Sequence, residues 1–246
     1  MVKFGIIGYP LGHSFSAVYF NDKFQKENLP FEYKLFPISS VEELPRILQQ
    51  YRDLSGINVT IPHKKNIIPY LNSLSQEASR IGAVNTVKIL RNGDKIELIG
   101  YNTDYIGFKE SLKPLLRNDI KKALVLGTGG ASCAVIAALE DLGIKFSKVS
   151  RTKSDETLGY DDLNEEVMND HLLIINCTPV GMWPHVEETL PLPFELISDR
   201  HICFDLIYNP EETEFLKKAK QNGAVTKNGM EMLIKQAVGA WSVWNR

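Results

Sequence analysis

Two hydrophobic rhythms alternate along this chain. Lys3–Gly8 is almost continuously apolar over the length of a strand, whereas Phe15–Asn28 spaces Val18, Phe20 and Phe24 along one face of a helix. Glu32–Ile38 reads as a second strand and Val41–Tyr51 as a second helix, with Ser40 placed to cap it. Gly56–Ile61 has the content of a buried strand, and short helical stretches follow near Asn66–Leu71 and Ser75–Ile81. Val84–Leu90 and Lys95–Ile99 flank Arg91-Asn92-Gly93-Asp94. Asn-Gly between β-rich runs predicts a hairpin, because its turn needs residues that tolerate positive φ.

Past Asn102 the alternation continues. Tyr105–Leu116 reads as a helix, Lys122–Leu126 as a strand, Ala131–Leu142 as a helix, and Phe146–Ser150, His171–Cys177 and Ile202–Leu206 as strands. Glu212–Asn222 is a helix, Ala224–Thr226 a short strand and Met230–Trp244 a final helix. Strands that alternate with crossover helices predict an α/β fold with a doubly wound parallel sheet. Val180–Pro193, with three prolines and the pair Glu187–Glu188, predicts a mobile loop inside this region rather than a linker.

Composition narrows the class. The 246 residues, 43% hydrophobic and 24% charged, have ordinary globular composition and suit one large or two modest domains. A formal net charge of -2 provides no global basic field for a nucleic-acid backbone, so any anion site must be local. Cys133, Cys177 and Cys203 are odd in number and far apart, with no metal-type spacing; no metal is expected, and reduced thiols in the cytoplasm are. The opening apolar run is too short for a signal peptide, and no run reaches the ~18 residues of a membrane span.

The string Gly127-Thr128-Gly129-Gly130-Ala131-Ser132 falls between a predicted strand and a predicted helix. There glycines allow a tight turn and a bare backbone near a pyrophosphate, while the helix start supplies N–H groups and partial positive charge. Ser132 stands where the usual fingerprint has its third glycine. The next strand ends Ser150-Arg151-Thr152-Lys153, where an NAD site carries an acid. Arginine grips a 2′-phosphate in a planar fork, so Arg151 points to NADP, with Thr152 and Lys153 as helpers.

Several polar strings remain. Ser14 and Ser16 follow the first strand and suit either a carboxylate ligand or helix capping. Asn58, Thr60 and Lys64 lie near the C-terminal end of a buried strand, where open α/β sheets place ligands. Gly82-Ala83-Val84-Asn85-Thr86 and Gly100-Tyr101-Asn102-Thr103-Asp104 bracket the hairpin; singly, each reads as a turn.

Together these strings closely resemble the shikimate dehydrogenase family across nearly the whole chain. The shared patterns are H-S-x-S, N-V-T-x-P-x-K, G-A-x-N-T, N-T-D and G-x-G-G-A-S, with Asn176–Met182, Asp205–Pro210 and Asn228-Gly229-Met230 with Gln236, all in family order. The resemblance implies NADPH-dependent, reversible reduction of 3-dehydroshikimate to shikimate, on the route to chorismate and the aromatic amino acids. It implies a substrate-binding and catalytic domain over residues 1–104, a Rossmann-type NADP domain over 105–229, and a C-terminal helix over 230–246 returning to the first domain. Ser14 and Ser16 would bind the substrate carboxylate. Asn58, Thr60, Lys64, Asn85, Asp104, Tyr208 and Gln236 would complete the substrate site. Lys64 and Asp104 would form the catalytic pair, with Lys64 as general acid/base. Gly127, Gly129, Gly130, Ala131, Ser150, Arg151, Thr152, Thr178, Ile207, Gly229 and Met230 would hold the cofactor.

Three positions depart from the family pattern. Ser150 precedes Arg151 where asparagine is usual, Cys133 follows Ser132 where a basic residue is common, and His63 stands where phenylalanine is common. His63 is expected at the surface, and Trp241 and Trp244 in either a core or an interface. A monomer or a homodimer fits the chain. Two other readings stay open: an NAD-using quinate/shikimate-type dehydrogenase, and a dinucleotide-sensing binding protein without catalysis.

Overall fold

The structure, a computed structural model, describes residues 3–12 and 14–246. The chain divides into two compact units: the residues up to Thr103 together with Ala237–Arg246, and Asp104–Gln236.

The first unit carries strands β1 (Phe4–Gly8), β2 (Tyr33–Pro37), β3 (Gly56–Val59), β4 (Ser73–Leu74), β5 (Thr86–Asn92) and β6 (Lys95–Tyr101), with helices α1 (Phe15–Lys26), α2 (Leu44–Gln50) and α3 (Gln76–Ile81). The sheet order is β2-β1-β3-β5-β6-β4. β1 pairs parallel with β2 and β3, whereas β5 runs antiparallel to both β3 and β6. The hairpin read from Asn92-Gly93 is present, with Gly93 at φ 60°. The helix expected from Val41 to Tyr51 begins as one tight turn over Val41–Glu43, capped by Ser40, before α2 continues with Pro45 in its first turn.

β1 reads as a continuous apolar run because it is covered on both faces. Phe4 and Ile6 pack with Phe20 and Phe24 of α1, while Ile7 on the opposite face joins Leu44, Ile47 and Leu48 of α2. The chain's last residues complete the first cluster. Trp244 is buried there with Ala237 and Ala240 as a core residue of this unit, and half-buried Trp241 packs against the cluster.

The second unit carries α4 (Thr103–Leu112), which begins at the boundary, then β7 (Lys122–Leu126), α5 (Gly130–Asp141), β8 (Lys145–Val149), β9 (Thr157–Leu158), α6 (Glu165–Asp170), β10 (Leu173–Asn176), β11 (Ile202–Asp205), α7 (Glu214–Gln221) and β12 (Val225–Lys227). α8 (Met230–Trp244) starts in this unit and ends in the first. The sheet order is β12-β11-β10-β7-β8-β9, with every pair parallel. This is the 3-2-1-4-5-6 order of a doubly wound sheet, with its switch point between β7 and β10. β9 and α6 were not expected, since two and six residues are too short to show a periodicity. Among the described residues no helix is long and apolar enough to cross a membrane, and no group of three or more His, Cys, Asp or Glu side chains is placed to hold a metal ion.

Candidate active site

In the first unit, the polar residues singled out in the sequence converge at the C-terminal ends of β1 and β3. Ser14 caps α1, its hydroxyl accepting from the Ala17 amide at 3.4 Å. Ser16 is buried and hydrogen-bonds the phenol of Tyr33. Tyr33 in turn donates to Asn58 Oδ1 at 2.7 Å. Burial raises the phenol well above its ordinary pKa, with the Ser16 bond acting the other way, so the phenol stays a neutral donor.

The chain of bonds continues through two asparagines. Asn58 Nδ2 donates to the Asn85 carbonyl and to Thr86 Oγ1, both at 3.2 Å. Asn85 Oδ1 accepts from the Thr103 amide at 2.7 Å, and its Nδ2 donates to Thr103 Oγ1 at 3.0 Å. Ser16, Tyr33, Asn58, Asn85, Thr86 and Thr103 thus form one buried array that joins α1, β2, β3, β5 and the start of α4. Such an array is rigid because each polar group already has a partner inside a low-dielectric environment. Tyr33, Thr86 and Thr103 are its members with no role assigned from the sequence. Two of them stand beside Asn85 and Asn102 in strings already singled out; Tyr33 is an ordinary strand residue by pattern, and nothing local marks it.

Lys64 follows β3 in a turn held at both ends. The His63 amide donates to the Thr60 carbonyl at 2.9 Å, and the Val84 amide donates to the Lys64 carbonyl at 2.8 Å. Thr60 and Lys64 are both half-buried. His63 corrects the surface expectation: it is 1% exposed, and Nε2 donates to the Ile38 carbonyl at 2.7 Å. The imidazole therefore anchors the Lys64 turn to the segment after β2, with Nδ1 buried and unbonded.

Asp104 lies in the first turn of α4 and is buried. One turn on, Gly107 brings the helix against α8, where a Cβ would sit 2.6 Å from the Met232 carbonyl and 3.1 Å from Gln236 Cβ. Asp104 and buried Gln236 accordingly belong to the crossing of these two helices. Tyr208 is half-buried after β11, and desolvation raises its pKa.

The residues expected to hold the cofactor follow the strands of the second sheet, and two of them, Gly127 and Thr178, meet at its switch point. Gly127 adopts φ 101°, and a Cβ there would lie 2.9 Å from Thr178 Cγ2, so the turns after β7 and β10 touch. At Gly129, the N-cap of α5, no protein atom lies within 4 Å of a Cβ. Packing does not demand glycine there, whereas a ligand approaching the helix start would. The main chain of Gly130 and Ala131 provides the first N–H groups of α5, which lack intrahelical acceptors. Ser132 is buried and donates to the Gly129 carbonyl at 2.7 Å, stiffening this turn from inside.

After β8, Ser150 Oγ accepts from the Thr152 amide at 3.4 Å, and Arg151 projects outward, exposed. Its charge is felt by the half-buried phenol of Tyr160, whose pKa desolvation raises and Arg151 lowers. Lys153 is committed to Asp162 at 2.7 Å. At the head of α8 the Gly229 amide donates to the Ile207 carbonyl at 2.9 Å, and a side chain at Gly229 would overlap the Leu206 carbonyl. Met230 begins α8, its amide donating to Asn228 Oδ1 at 3.2 Å. These features fit a dinucleotide: a bare helix start, an unencumbered glycine and a cationic fork after the second strand.

Known proteins resemble the chain along both units. The family model described as shikimate dehydrogenase substrate binding domain matches residues 6–87. The shikimate dehydrogenase (NADP(+)) of Maridesulfovibrio salexigens is 40% identical over 98% of this chain and 90% of its own length. The crystal structure of shikimate dehydrogenase from Aquifex aeolicus superposes with a TM-score of 0.85 at 39% identity, covering 100% of this chain and 92% of that one. The Thermus thermophilus shikimate 5-dehydrogenase, solved in complex with NADP(H) and shikimate, gives a TM-score of 0.85 at 33% identity, covering 99% of this chain and 93% of that one.

Proposed function

The chain belongs to the shikimate dehydrogenase family, and on that premise we propose that it catalyses the reversible, NADPH-dependent reduction of 3-dehydroshikimate to shikimate. The observation that carries this reading is that the likeness spans both units, not the dinucleotide-type unit alone. A shared nucleotide fold by itself would leave the substrate open.

Bound NADPH supplies the hydride, and the chain supplies the proton. As the ketone carbon is reduced, charge builds on its oxygen. Lys64 is assigned to give that oxygen a proton, leaving a hydroxyl, and to take the proton back in the reverse direction. Asp104 is assigned to orient the Lys64 ammonium and to accept from the reacting hydroxyl. Ser14 and Ser16 are assigned to the substrate carboxylate; Asn58, Thr60, Asn85, Tyr208 and Gln236 are assigned to its ring and hydroxyls. The bonded array from Ser16 to Thr103 supports this assignment, because amides already locked in place orient a ligand with little further ordering cost. Gly127, Gly129, Gly130 and Ala131 are assigned to the pyrophosphate and Ser150, Arg151 and Thr152 to the 2′-phosphate. Thr178, Ile207, Gly229 and Met230 are assigned to the remainder of the cofactor. A monomer or homodimer in the cytoplasm completes the proposal, with size-exclusion chromatography and light scattering as the check on assembly.

The test is to follow reduced-cofactor absorbance with shikimate and NADP⁺, with quinate in parallel, for wild type and Lys64→Ala. Turnover of shikimate by wild type, with kcat in the variant about 100-fold or more lower and KM for NADP⁺ little changed, is expected. Turnover of quinate alone would move the substrate, and binding of NADP⁺ without turnover of either would replace the enzyme by a binding protein.

A further inference from the structure

We propose that Asp205 is a positioning residue for the dinucleotide, its buried carboxylate holding the loops after β10 and β11 and the head of α8 in the geometry the cofactor meets. The proposal rests on the dinucleotide reading of the second unit.

β10 and β11 pair with Asn176 opposite Asp205, so the two side chains leave the C-terminal edge of the sheet together. Asp205 Oδ1 accepts from Asn176 Nδ2 and from the Ile207 amide, both at 3.0 Å. Oδ2 accepts from the Thr213 hydroxyl at 2.6 Å. Each partner passes the constraint on. Asn176 Oδ1 accepts from the amide and the hydroxyl of Thr178, at 2.9 and 2.7 Å, and Thr178 Oγ1 accepts from the Val180 amide at 3.2 Å. The Ile207 carbonyl accepts from the Gly229 amide at 2.9 Å. Thr213 caps α7, its hydroxyl accepting from the Leu216 amide at 3.4 Å.

Three residues assigned to the cofactor, Thr178, Ile207 and Gly229, are therefore one or two bonds from a single carboxyl group. Asp205 itself has no exposed surface, so it acts through them. Burying a carboxylate between strands is costly, and an apolar residue would join the strands without that cost. What the carboxylate adds is several acceptor directions, and all of them point to side chains or loop amides beyond the strand ends rather than into the apolar core.

The experiment compares Asp205→Ala, Asp205→Asn and Thr213→Val in the full chain. It measures initial rates with shikimate and NADP⁺ each varied, and NADP⁺ affinity by calorimetry without substrate. Asparagine keeps an oxygen for Asn176 and Ile207 and can donate an N–H to the Thr213 hydroxyl, so it preserves the network. The alanine variant is expected to raise KM for NADP⁺ about tenfold or more while KM for shikimate stays within about twofold, and asparagine to return KM for NADP⁺ to within about threefold of wild type, with Thr213→Val in between. Unchanged NADP⁺ affinity in a folded alanine variant would overturn the proposal. So would equal rises in both KM values with asparagine no better than alanine, which would make the effect one of fold alone. If the alanine variant does not fold, the other two decide: weaker NADP⁺ binding by Thr213→Val than by Asp205→Asn supports the proposal, and wild-type affinity in Thr213→Val overturns it. A wild type that binds NADP⁺ but leaves shikimate unchanged overturns the substrate reading and leaves the calorimetric comparison valid. A wild type that binds no NADP⁺ overturns both.

Discussion

The indole Nε1 of Trp244 donates to the Val87 carbonyl at 3.1 Å, a bond across 157 positions that fastens the end of the chain to the first sheet. The ring also stacks on Phe4 with centroids 4.7 Å apart and covers Gly56, where any side chain would overlap it. Trp244→Phe keeps an aromatic ring and deletes the donor. The expected loss is about 0.5–1.5 kcal/mol, read as a lower urea midpoint with an unchanged m-value. Wild-type stability in this variant would show that the bond contributes nothing beyond the packing.

Tyr33 bridges Ser16 and Asn58 from a strand that no motif marks. Tyr33→Phe preserves the stack on Phe20, whose centroid is 4.9 Å away, and removes only the hydroxyl. Asn58 Oδ1 then loses its donor. We expect KM for shikimate to rise about five- to tenfold while KM for NADP⁺ stays level. Steady-state kinetics with each substrate varied would expose a parallel rise in both, which would count against a link between Tyr33 and the substrate array.

Arg151 is the residue on which the cofactor preference is placed. Arg151→Ala should weaken KM for NADP⁺ by about ten- to 100-fold, the worth of a charge-assisted phosphate contact, and leave KM for NAD⁺ nearly unchanged. The ratio of kcat/KM for the two cofactors is the measurement. An equal loss with both would place Arg151 away from the 2′-phosphate.

Asp205 also carries a pH dependence. Burial pushes its carboxyl from the ordinary 3.8 up to about 7, against the lowering effect of its bonds to Thr213, Ile207 and Asn176. Between those two values the folded protein holds a proton that the unfolded chain has released. Stability therefore falls as pH rises through this window, by up to about 1.4 kcal/mol per pH unit, and levels off above pH ~7. The thiols of Cys177 and Cys203 feel the same carboxyl, but burial raises both first, so they remain protonated throughout. His201 acts in the opposite sense, since burial lowers its pKa and its protonation at low pH is destabilising. The informative quantity is thus the stability of wild type minus that of Asp205→Asn, from urea unfolding at pH 5 to 8. It should decline across that range, and parallel curves would show that the carboxyl does not titrate there.

Much of the second unit was legible because its signals are local. Lys122–Leu126 is apolar over a strand's length, and the glycines after it mark a turn into a helix whatever surrounds them. Met230–Trp244 keeps its periodicity from end to end, and the structure gives that helix the same bounds. The strings carrying Asn58, Lys64, Asn85 and Asp104 were visible as polar residues at strand and helix ends, although their roles came from family likeness and not from pattern.

What the sequence by itself determined is therefore the α/β class, the hairpin at Asn92-Gly93 and the glycine turn before α5, each governed by residues close together in the chain. Only the tertiary structure decided the rest. His63 is buried where Ile38, in the segment after β2, supplies its acceptor. Tyr33 matters because β2 lies beside β1 and its phenol reaches Asn58 on β3. Asp205 becomes a hub because Asn176 is its register partner and Thr213 caps the following helix. Hydrophobic periodicity reports which face of an element turns inward. It carries no information about which distant polar atom will be waiting there, and a buried hydrogen bond depends on that atom alone.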